Sequence, residues 1–498
     1  MKPTLLAFDL GTTGNKAVLI DAETGHVLRS AFAPYESFYS ADGGAEQNPA
    51  DWWKSVAKCC SAMRDEDPMA LYNVAAVGCT GTMNGAVLID AHGHVIRKAI
   101  IHADTRATDQ CDRLVAELGL GRIYYLTQNR LDPHVTIPKL MWLAENDPRS
   151  YGKADWVIQC KDYIAGKLTG EYGFTDHSDA SLTGGYNVHR RRWAHEIWEA
   201  AGIRRNLLPV PRNSTDVIGM VTREAARLTG IPQGVPVVAG GGDGACASAG
   251  SGTPTGEVYN YLGGTSWIGR ILAEPIIDMR LSSYCCLDDR VTTYGTVQAA
   301  GTSIEWVAKL FSDAPPDFIE LDRIAAESPV GSKGLEFLPY LQGERAPLWD
   351  PYARGVLTGL DLRHKRPDMY RAVLEGVTFA LKSILDVFEA NGDASQHLRV
   401  MGGGAQSALW RSLIASVTGR TVRVVADQAS ATAIGAAMAA GVGAGVYSSI
   451  AAAAGIMISV ESETAPDPTD AAAYPAHFER WMKLYPALEE RFVTAARV

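Results

Sequence analysis

The chain has 498 residues, 47% of them hydrophobic and 20% charged, and a formal net charge of -10. That length exceeds what a single hydrophobic core usually organises, so two domains are expected. The acidic balance argues against a nucleic-acid partner, which needs a basic face, and requires any anionic ligand to be held by local groups.

The N-terminus, MKPTLLAFDLGTT, has one early lysine, but Asp9 interrupts its apolar run, so no secretion signal is expected. From Thr4 to Pro34 three short apolar strands are separated by the turn formers DLGTTGN and DAETGH, which predicts an antiparallel meander. Helical segments such as ADWWKSVAKCCSAMR and ATDQCDRLVAELG then alternate with strands such as NVAAVGCTG and VPVVAGGG, the pattern of α/β layers. The stretch VAGGGDGACASAG, Val238–Gly250, sets Asp243 among glycines, so something bulky must come close to it. The natural boundary falls here, giving domains 1–248 and 249–498.

YLGGTS from Tyr261 repeats FDLGTT from Phe8 after 253 positions and is again followed by an apolar segment, which suggests two domains of one architecture. Further on, DMYRAVLEGVTFALKSILDVFEAN predicts a helix ending near Gly392, followed by the strand HLRVMGGG and the helix SALWRSLIASVTG. The uncharged stretch from Ala429 to Val460 is long enough to span a bilayer, but it consists mainly of Ala, Gly and Ser. It is therefore read as buried helices with small contact faces, with no membrane role. The eight cysteines show no CxxC pair and no zinc-like spacing with histidine, which fits a reduced, cytoplasmic protein.

Glycine turns at DLGTTG, LGGTS and MGGGAQS read as strand–glycine–helix junctions that could present N–H groups to phosphate. None matches GxxxxGK[ST] or GxGxxG, which argues against P-loop and Rossmann readings. Phosphoryl transfer needs a phosphate cradle, a carboxylate for the magnesium shell and a second carboxylate for the attacking hydroxyl. Asp9 suits the metal role and Asp243 the base role, although either could equally be a helix or turn cap.

Two long stretches resemble the FGGY family of carbohydrate kinases, most of all its xylulokinase branch. They are HVTIPKLMWLAEN, His134–Asn146, and GVLTGLDLRHKRPDMYRAVLE, Gly355–Glu375, the latter preceded by QGERAPLWDPYARG. The resemblance covers nearly the whole chain. It implies an α/β fold of two actin-like, ribonuclease-H-like domains hinged around a central cleft, with the sugar mainly on the first and ATP on the second. It places the catalytic base at Asp243, which would also face the metal, and places magnesium near Asp9 through water. The first phosphate turn would be Thr12, Thr13 and Lys16, and the second Gly264 and Thr265. Gly301 and Glu305 would lie beside the nucleotide, and Gly403, Gly404 and Ala405 would form the adenosine loop.

On the sugar side the resemblance implies Met83, Asn84, His102, Asp104 and His134, and here the chain departs from the branch. Met83 and Asn84 stand where Met-His is typical, His102 and Ala103 replace Trp-Asn before Asp104, His134 opens the first signature, and Gly244 follows the base. Histidines on loops are commonly structural. An amide such as Asn84 can pair with two hydroxyls at once. Trp142 and Trp306 are assigned to packing, and Arg190, Arg191 and Arg192 to solvent.

The expectation is an ATP- and magnesium-dependent kinase for a small open-chain sugar, with a ketopentose such as xylulose leading and gluconate, a polyol or another linear sugar behind. A catalytically silent sugar-responsive regulator and an actin-like ATPase are the readings from other classes. A homodimer is the oligomeric expectation, dimers being common for this fold.

Overall fold

Thr4–Leu10 is apolar apart from Thr4 and Asp9, and the buried Leu6, Phe8 and Leu10 anchor it centrally in a twisted sheet. It pairs antiparallel with Gly14–Asp21, which pairs antiparallel with Val27–Pro34, so the expected meander forms. On its other side it runs parallel to Val74–Gly81, followed outward by Pro236–Val238 and Val217–Met220. The computed structural model describes residues 2–312 and 315–495.

The same connectivity recurs in the second half. Val258–Leu262 pairs antiparallel with Ser266–Leu272 and parallel with His397–Met401, and Thr421–Val425 and Val460–Thr464 extend the sheet. The repeated tetrad of turn residues therefore marks a repeated strand–turn–strand unit with a parallel third strand. This geometry corrects the reading of two glycine junctions. DLGTTG and LGGTS are hairpin turns, because the apolar residues after them pair back onto the preceding strand. Only MGGGAQS leads into helix, through a short 3-10 turn Gly403–Gln406 to Ala408–Thr418.

Helices cover these sheets. Pro49–Glu66 starts with Asn48 accepting the Ala50 N–H at 3.2 Å and buries Trp52, Val56, Cys59, Cys60 and Met63 against the first sheet. Arg366–Ala390 is buried on most of its circumference, which explains an apolar sequence without a clear polar stripe.

By compactness the chain divides into two units that are discontinuous in sequence. One comprises the chain up to Gly252 with Leu272–Thr292 and Ser430–Ser459, and the other Thr253–Ile271, Thr293–Ala429 and the chain from Val460 on. Ser430–Ser459 joins the first unit because of its small residues. A Cβ on Gly435 of helix Ala431–Gly443 would lie 2.0 Å from the Cys246 carbonyl oxygen, and one on Gly250 would lie 2.0 Å from that of Ala431. Two helices thus meet backbone to backbone, and the Ala/Gly stretch serves that contact. Among the described residues no helix is long and apolar enough to cross a membrane.

Gly435→Ala should therefore destabilise the protein by roughly 1–3 kcal/mol, since the obstructing atom is backbone and cannot turn aside. Gly455→Ala, in helix Ile450–Met457 with open space around it, should be neutral to stabilising. Thermal melts of the two variants check the contrast.

Candidate active site

The first unit carries two acidic groups on either side of one strand, Val74–Gly81. Asp9 lies near the end of its strand, with Lys16 directly across the hairpin and Thr80 beside it on the parallel strand. Gly241 pairs with the same Thr80 from the other side, two residues before Asp243. The backbones of Asp9 and Gly241 are thus separated by two strand spacings, about 10 Å. Asp243 is the first residue of helix Asp243–Gly250, and its Oδ1 accepts the Gly244 N–H at 2.7 Å.

Burial raises the Asp243 carboxyl to about 7, with the charge of Asp9 adding to the rise and the Gly244 N–H opposing it. Asp9 is raised to about 6, also by burial, with Lys16 pulling the other way. Two carboxyl groups with perturbed values, the charge of one raising the other, mark a functional site better than either would alone. Gly244, where relatives of the expected branch differ, has its own cause: a Cβ there would come within 3.2–3.3 Å of the Tyr284 ring, whose hydroxyl donates to the Gly244 carbonyl at 3.1 Å.

The hairpin turn at Thr12 and Thr13 is held from beneath, with the Gln47 amide donating to the Thr12 carbonyl at 2.8 Å and the Tyr35 hydroxyl to Gly11. Thr13 is exposed and Lys16 half-buried. Among the described residues no three His, Cys, Asp or Glu side chains converge as metal ligands. A magnesium ion does not need such a cage, since it commonly binds through one or two carboxylates, phosphate oxygens and water. Asp9 and Asp243 fit that requirement.

Three of the expected sugar-side residues are gathered by one that the sequence reading left out. The ammonium of the buried Lys139 donates to the carbonyls of Asn84 at 2.7 Å, Ile101 at 2.9 Å and His134 at 2.5 Å. All three of its donors thus meet backbone acceptors, fixing the loops that bear Asn84, His102 and His134. The Gln159 side chain adds a second clamp, exchanging both of its amide hydrogen bonds with Gly85 at 2.8 and 3.1 Å. A signal was present: a lysine on the apolar face of IPKLMWL must be buried with partners.

Asn84 has φ 65°, in the left-handed region, and its buried Oδ1 has no hydrogen-bond partner among the described residues. His134 is half-buried with Nδ1 3.2 Å from Asp132 Oδ1. His102 is also half-buried. Met83 is buried and packs where a Gly242 side chain would stand, so it fills space beside the Asp243 turn. Asp104 departs from its expected role. It is 1% exposed and its oxygens accept from the Ala45 N–H at 2.8 Å and from Arg106, which leaves it no surface for a sugar hydroxyl.

The second unit holds an apolar-walled cavity of about 380 Å³. Gly264, Gly301, Glu305, Gly403 and Gly404 line it, as do Ile304, Phe318, Ile319, Tyr370, Leu374 and Trp410. Its glycines sit close for a steric reason: a Cβ on Gly301 would lie 2.8 Å from the Gly263 carbonyl oxygen. Thr265, at the tip of the hairpin, donates its hydroxyl to the Gln298 carbonyl at 3.1 Å. The Gln298 N–H in turn donates at 3.0 Å to Glu344, a carboxyl raised by burial to about 8. Ala405 is buried behind the loop. Asp322, whose Oδ1 accepts from Ser407 at 2.9 Å, is a cavity residue with no distinctive sequence context.

The model of the FGGY family of carbohydrate kinases matches in both of its parts, the N-terminal domain over residues 4–250 and the C-terminal domain over residues 258–444. A xylulose kinase of Escherichia coli is 32% identical over 489 residues, covering 97% of this chain and 99% of that protein. The crystal structure of a xylulose kinase from Rhodospirillum rubrum superposes with a TM-score of 0.91 at 30% identity, covering 98% of this chain and 99% of that one. A gluconate kinase structure from Lactobacillus acidophilus reaches the same TM-score at 26% identity, covering 98% of each chain. The likeness confirms the α/β fold as two actin-like, ribonuclease-H-like domains.

The raised Asp243 carboxyl has a cost for folding. Its folded value, about 7, lies above the ordinary 3.8, so the ionised form opposes folding. The penalty starts as pH rises past the unfolded value and is complete above the folded one. Asp243→Asn should therefore match the wild type in stability near pH 4 and exceed it at pH 8, by on the order of 2 kcal/mol after discounting for partial exposure. Melting temperatures across pH 4–8 test this, and an equal offset at both ends would contradict it.

Proposed function

The chain belongs to the FGGY family of carbohydrate kinases, and from that membership we propose that it transfers the γ-phosphate of ATP to a hydroxyl of a small open-chain sugar, a ketopentose such as xylulose. That it is a sugar kinase rests on the family, while the choice of sugar rests on its likeness to xylulose kinases across nearly the whole chain. The observation that carries the mechanism is Asp243, a carboxyl near pKa 7 at a helix start whose preceding residues have no side chains. A base with a value near the working pH combines a sizeable ionised fraction with a useful driving force for proton transfer.

Asp243 orients the acceptor hydroxyl and takes its proton as that oxygen bonds to the γ-phosphorus and the bond to the β–γ bridging oxygen breaks, releasing ADP. Asp9, through water, and Asp243 would hold Mg²⁺, which supplies charge neutralisation to the phosphates when bound. Lys16 and the turns at Thr12, Thr13, Gly264 and Thr265 stabilise charge on the transferred group. The cavity beside Gly301, Glu305, Gly403 and Gly404 takes the nucleoside, its volume and apolar walls suiting a base and ribose, and Ala405 supports that loop. Asn84, His102 and His134, each half-buried, contact the sugar. Met83 shapes the wall, and Asp104 acts through Arg106 on the surrounding backbone.

A second reading, a kinase for gluconate, a polyol or another linear sugar, is favoured by the equal superposition on a gluconate kinase. Eight free cysteines suit the cytoplasm, and a homodimer is the proposed assembly.

A coupled ADP-release screen over ketoses, polyols and aldonates tests the substrate, with the highest kcat/KM expected for a ketopentose and a preference for gluconate deciding for the second reading. No turnover with any of them would favour a silent regulator. Asp243→Ala should lower turnover by at least about 10³-fold while ATP binding, read by calorimetry, stays within about threefold. Asn84→Ala should raise KM for the sugar about tenfold and leave KM for ATP unchanged; an equal rise in both would place Asn84 elsewhere.

A further inference from the structure

Beneath the turn that carries Asp243 lies a cluster of ionisable groups that the mechanism does not use. Lys161, Asp162, Asp176 and Asp179 have side chains that are all 0% exposed. The Lys161 ammonium lies 2.5 Å from Asp162, 3.0 Å from Asp176 and 3.2 Å from Asp179. Burying such charges is costly unless they are paired and hydrogen-bonded, and removing one partner leaves the others uncompensated. A cluster of this kind needs a use.

Two of its polar connections lead to the two ends of the glycine turn. At one end, Lys161 donates to the carbonyl of Ala239 at 3.2 Å. At the other, the Gly242 N–H donates to Ser178 Oγ at 2.9 Å, and that hydroxyl donates to Asp176 Oδ2 at 2.6 Å. Asp176 is well anchored, since it also accepts the Ser178 N–H at 2.9 Å, the Ser214 hydroxyl at 2.8 Å and the Asp179 N–H at 3.2 Å. Burial pushes Asp176 up, but Lys161 and the Ser178 donors outweigh it and hold the carboxyl below its usual range.

The turn needs such anchors because its own side chains supply none. Residues Gly240, Gly241 and Gly242 have no side chains to pack, and Gly240 adopts φ 70°. A Cβ on Gly240 would lie 2.0 Å from the Cys79 carbonyl oxygen, so the turn cannot be stiffened by larger residues. Glycine runs are conformationally permissive, while a base must be placed to within a fraction of an ångström.

We propose that Ser178, supported by Asp176 and Lys161, is a positioning residue for phosphoryl transfer: it fixes the Gly242 N–H, and through it the direction in which Asp243 faces the acceptor hydroxyl. The proposal rests on the reading of Asp243 as the base. Its effect belongs to the chemical step and not to ATP binding, whose residues lie elsewhere in the chain.

The test compares Ser178→Ala with Ser214→Ala. Each removes one hydroxyl from Asp176, but only the first takes the acceptor from Gly242, because Ser214 holds Gly240 through its backbone carbonyl, which alanine keeps. Ser178→Ala should lower kcat for sugar phosphorylation at least about tenfold, with KM for ATP within twofold of the wild type. The ratio of sugar-dependent to sugar-free ATP turnover should fall with it, whereas a smaller folded fraction would scale both equally. Ser214→Ala should keep kcat within about threefold despite a comparable drop in melting temperature. Unchanged kcat in Ser178→Ala, or equal losses in the two variants, overturns the proposal. Should Ser178→Ala fail to fold, amide exchange in the wild type decides. Gly242 should be protected like the amides of Val74–Gly81, and exchange as fast as in exposed loops overturns the proposal. Asp243→Ala separates the two claims, since retained turnover in that variant removes the base itself, whereas an inactive Asp243→Ala beside a normal Ser178→Ala removes only the positioning role.

Discussion

A reactive carboxyl placed in a turn without side chains has to be held in place by something other than its neighbours. The backbone from Ala239 to Gly242 is gripped at several points, by the Asp216 and Ser214 carbonyls, by Lys161 and by Ser178. Only then does helix Asp243–Gly250 begin in a fixed direction. Its further course is set by the backbone contact with helix Ala431–Gly443, at Gly250 and Gly435, where no side chain fits. The first unit is therefore organised around a segment from which bulk has been removed, and its surroundings supply the stiffness that the segment gives up.

Two buried lysines do this work in different ways. Lys139 satisfies three carbonyls and brings together loops from three distant parts of the chain. Lys161 joins carboxylates to the base turn. A buried ammonium suits such a hub because its three donors can point at carbonyls that would otherwise be unsatisfied, and leaving one unsatisfied is expensive. Gln159, at the start of the helix that bears Lys161, grips Gly85 in the loop that carries Asn84. One helix start thus steadies both the loop that carries Asn84 and the turn that carries Asp243.

The second unit is organised differently, around an apolar-walled cavity. Its cavity wall is aliphatic and aromatic, while the glycine hairpin at Gly264 leaves the backbone bare at one edge. The hairpin tip is braced by Thr265 on Gln298, and Gln298 by the buried Glu344. The duplicated strand–turn–strand unit has thus been put to two uses: in the first copy the turn stands beside Asp9 and Lys16, and in the second beside the cavity.

Much of this was legible in the chain of residues. Alternating apolar segments and turn formers determined the meander, the α/β layering and the repeat at Phe8 and Tyr261, because these depend on local propensity and burial of one face. Asp243 and Asp9 stood out as an acidic residue amid glycine and one at the end of an apolar strand, but a helix or turn cap explained them equally well until the family resemblance was added. Tertiary structure alone decided which residues converge. Asp104 looked like a ligand-facing residue until Arg106 and Ala45 were seen to occupy it, and Ser178 and Lys161 had no visible link to the residues near 240. Hydrogen bonds between residues some sixty to eighty positions apart leave no periodic trace in a sequence, since any polar side chain can donate or accept and only the folded path of the backbone determines which partner lies within 3 Å.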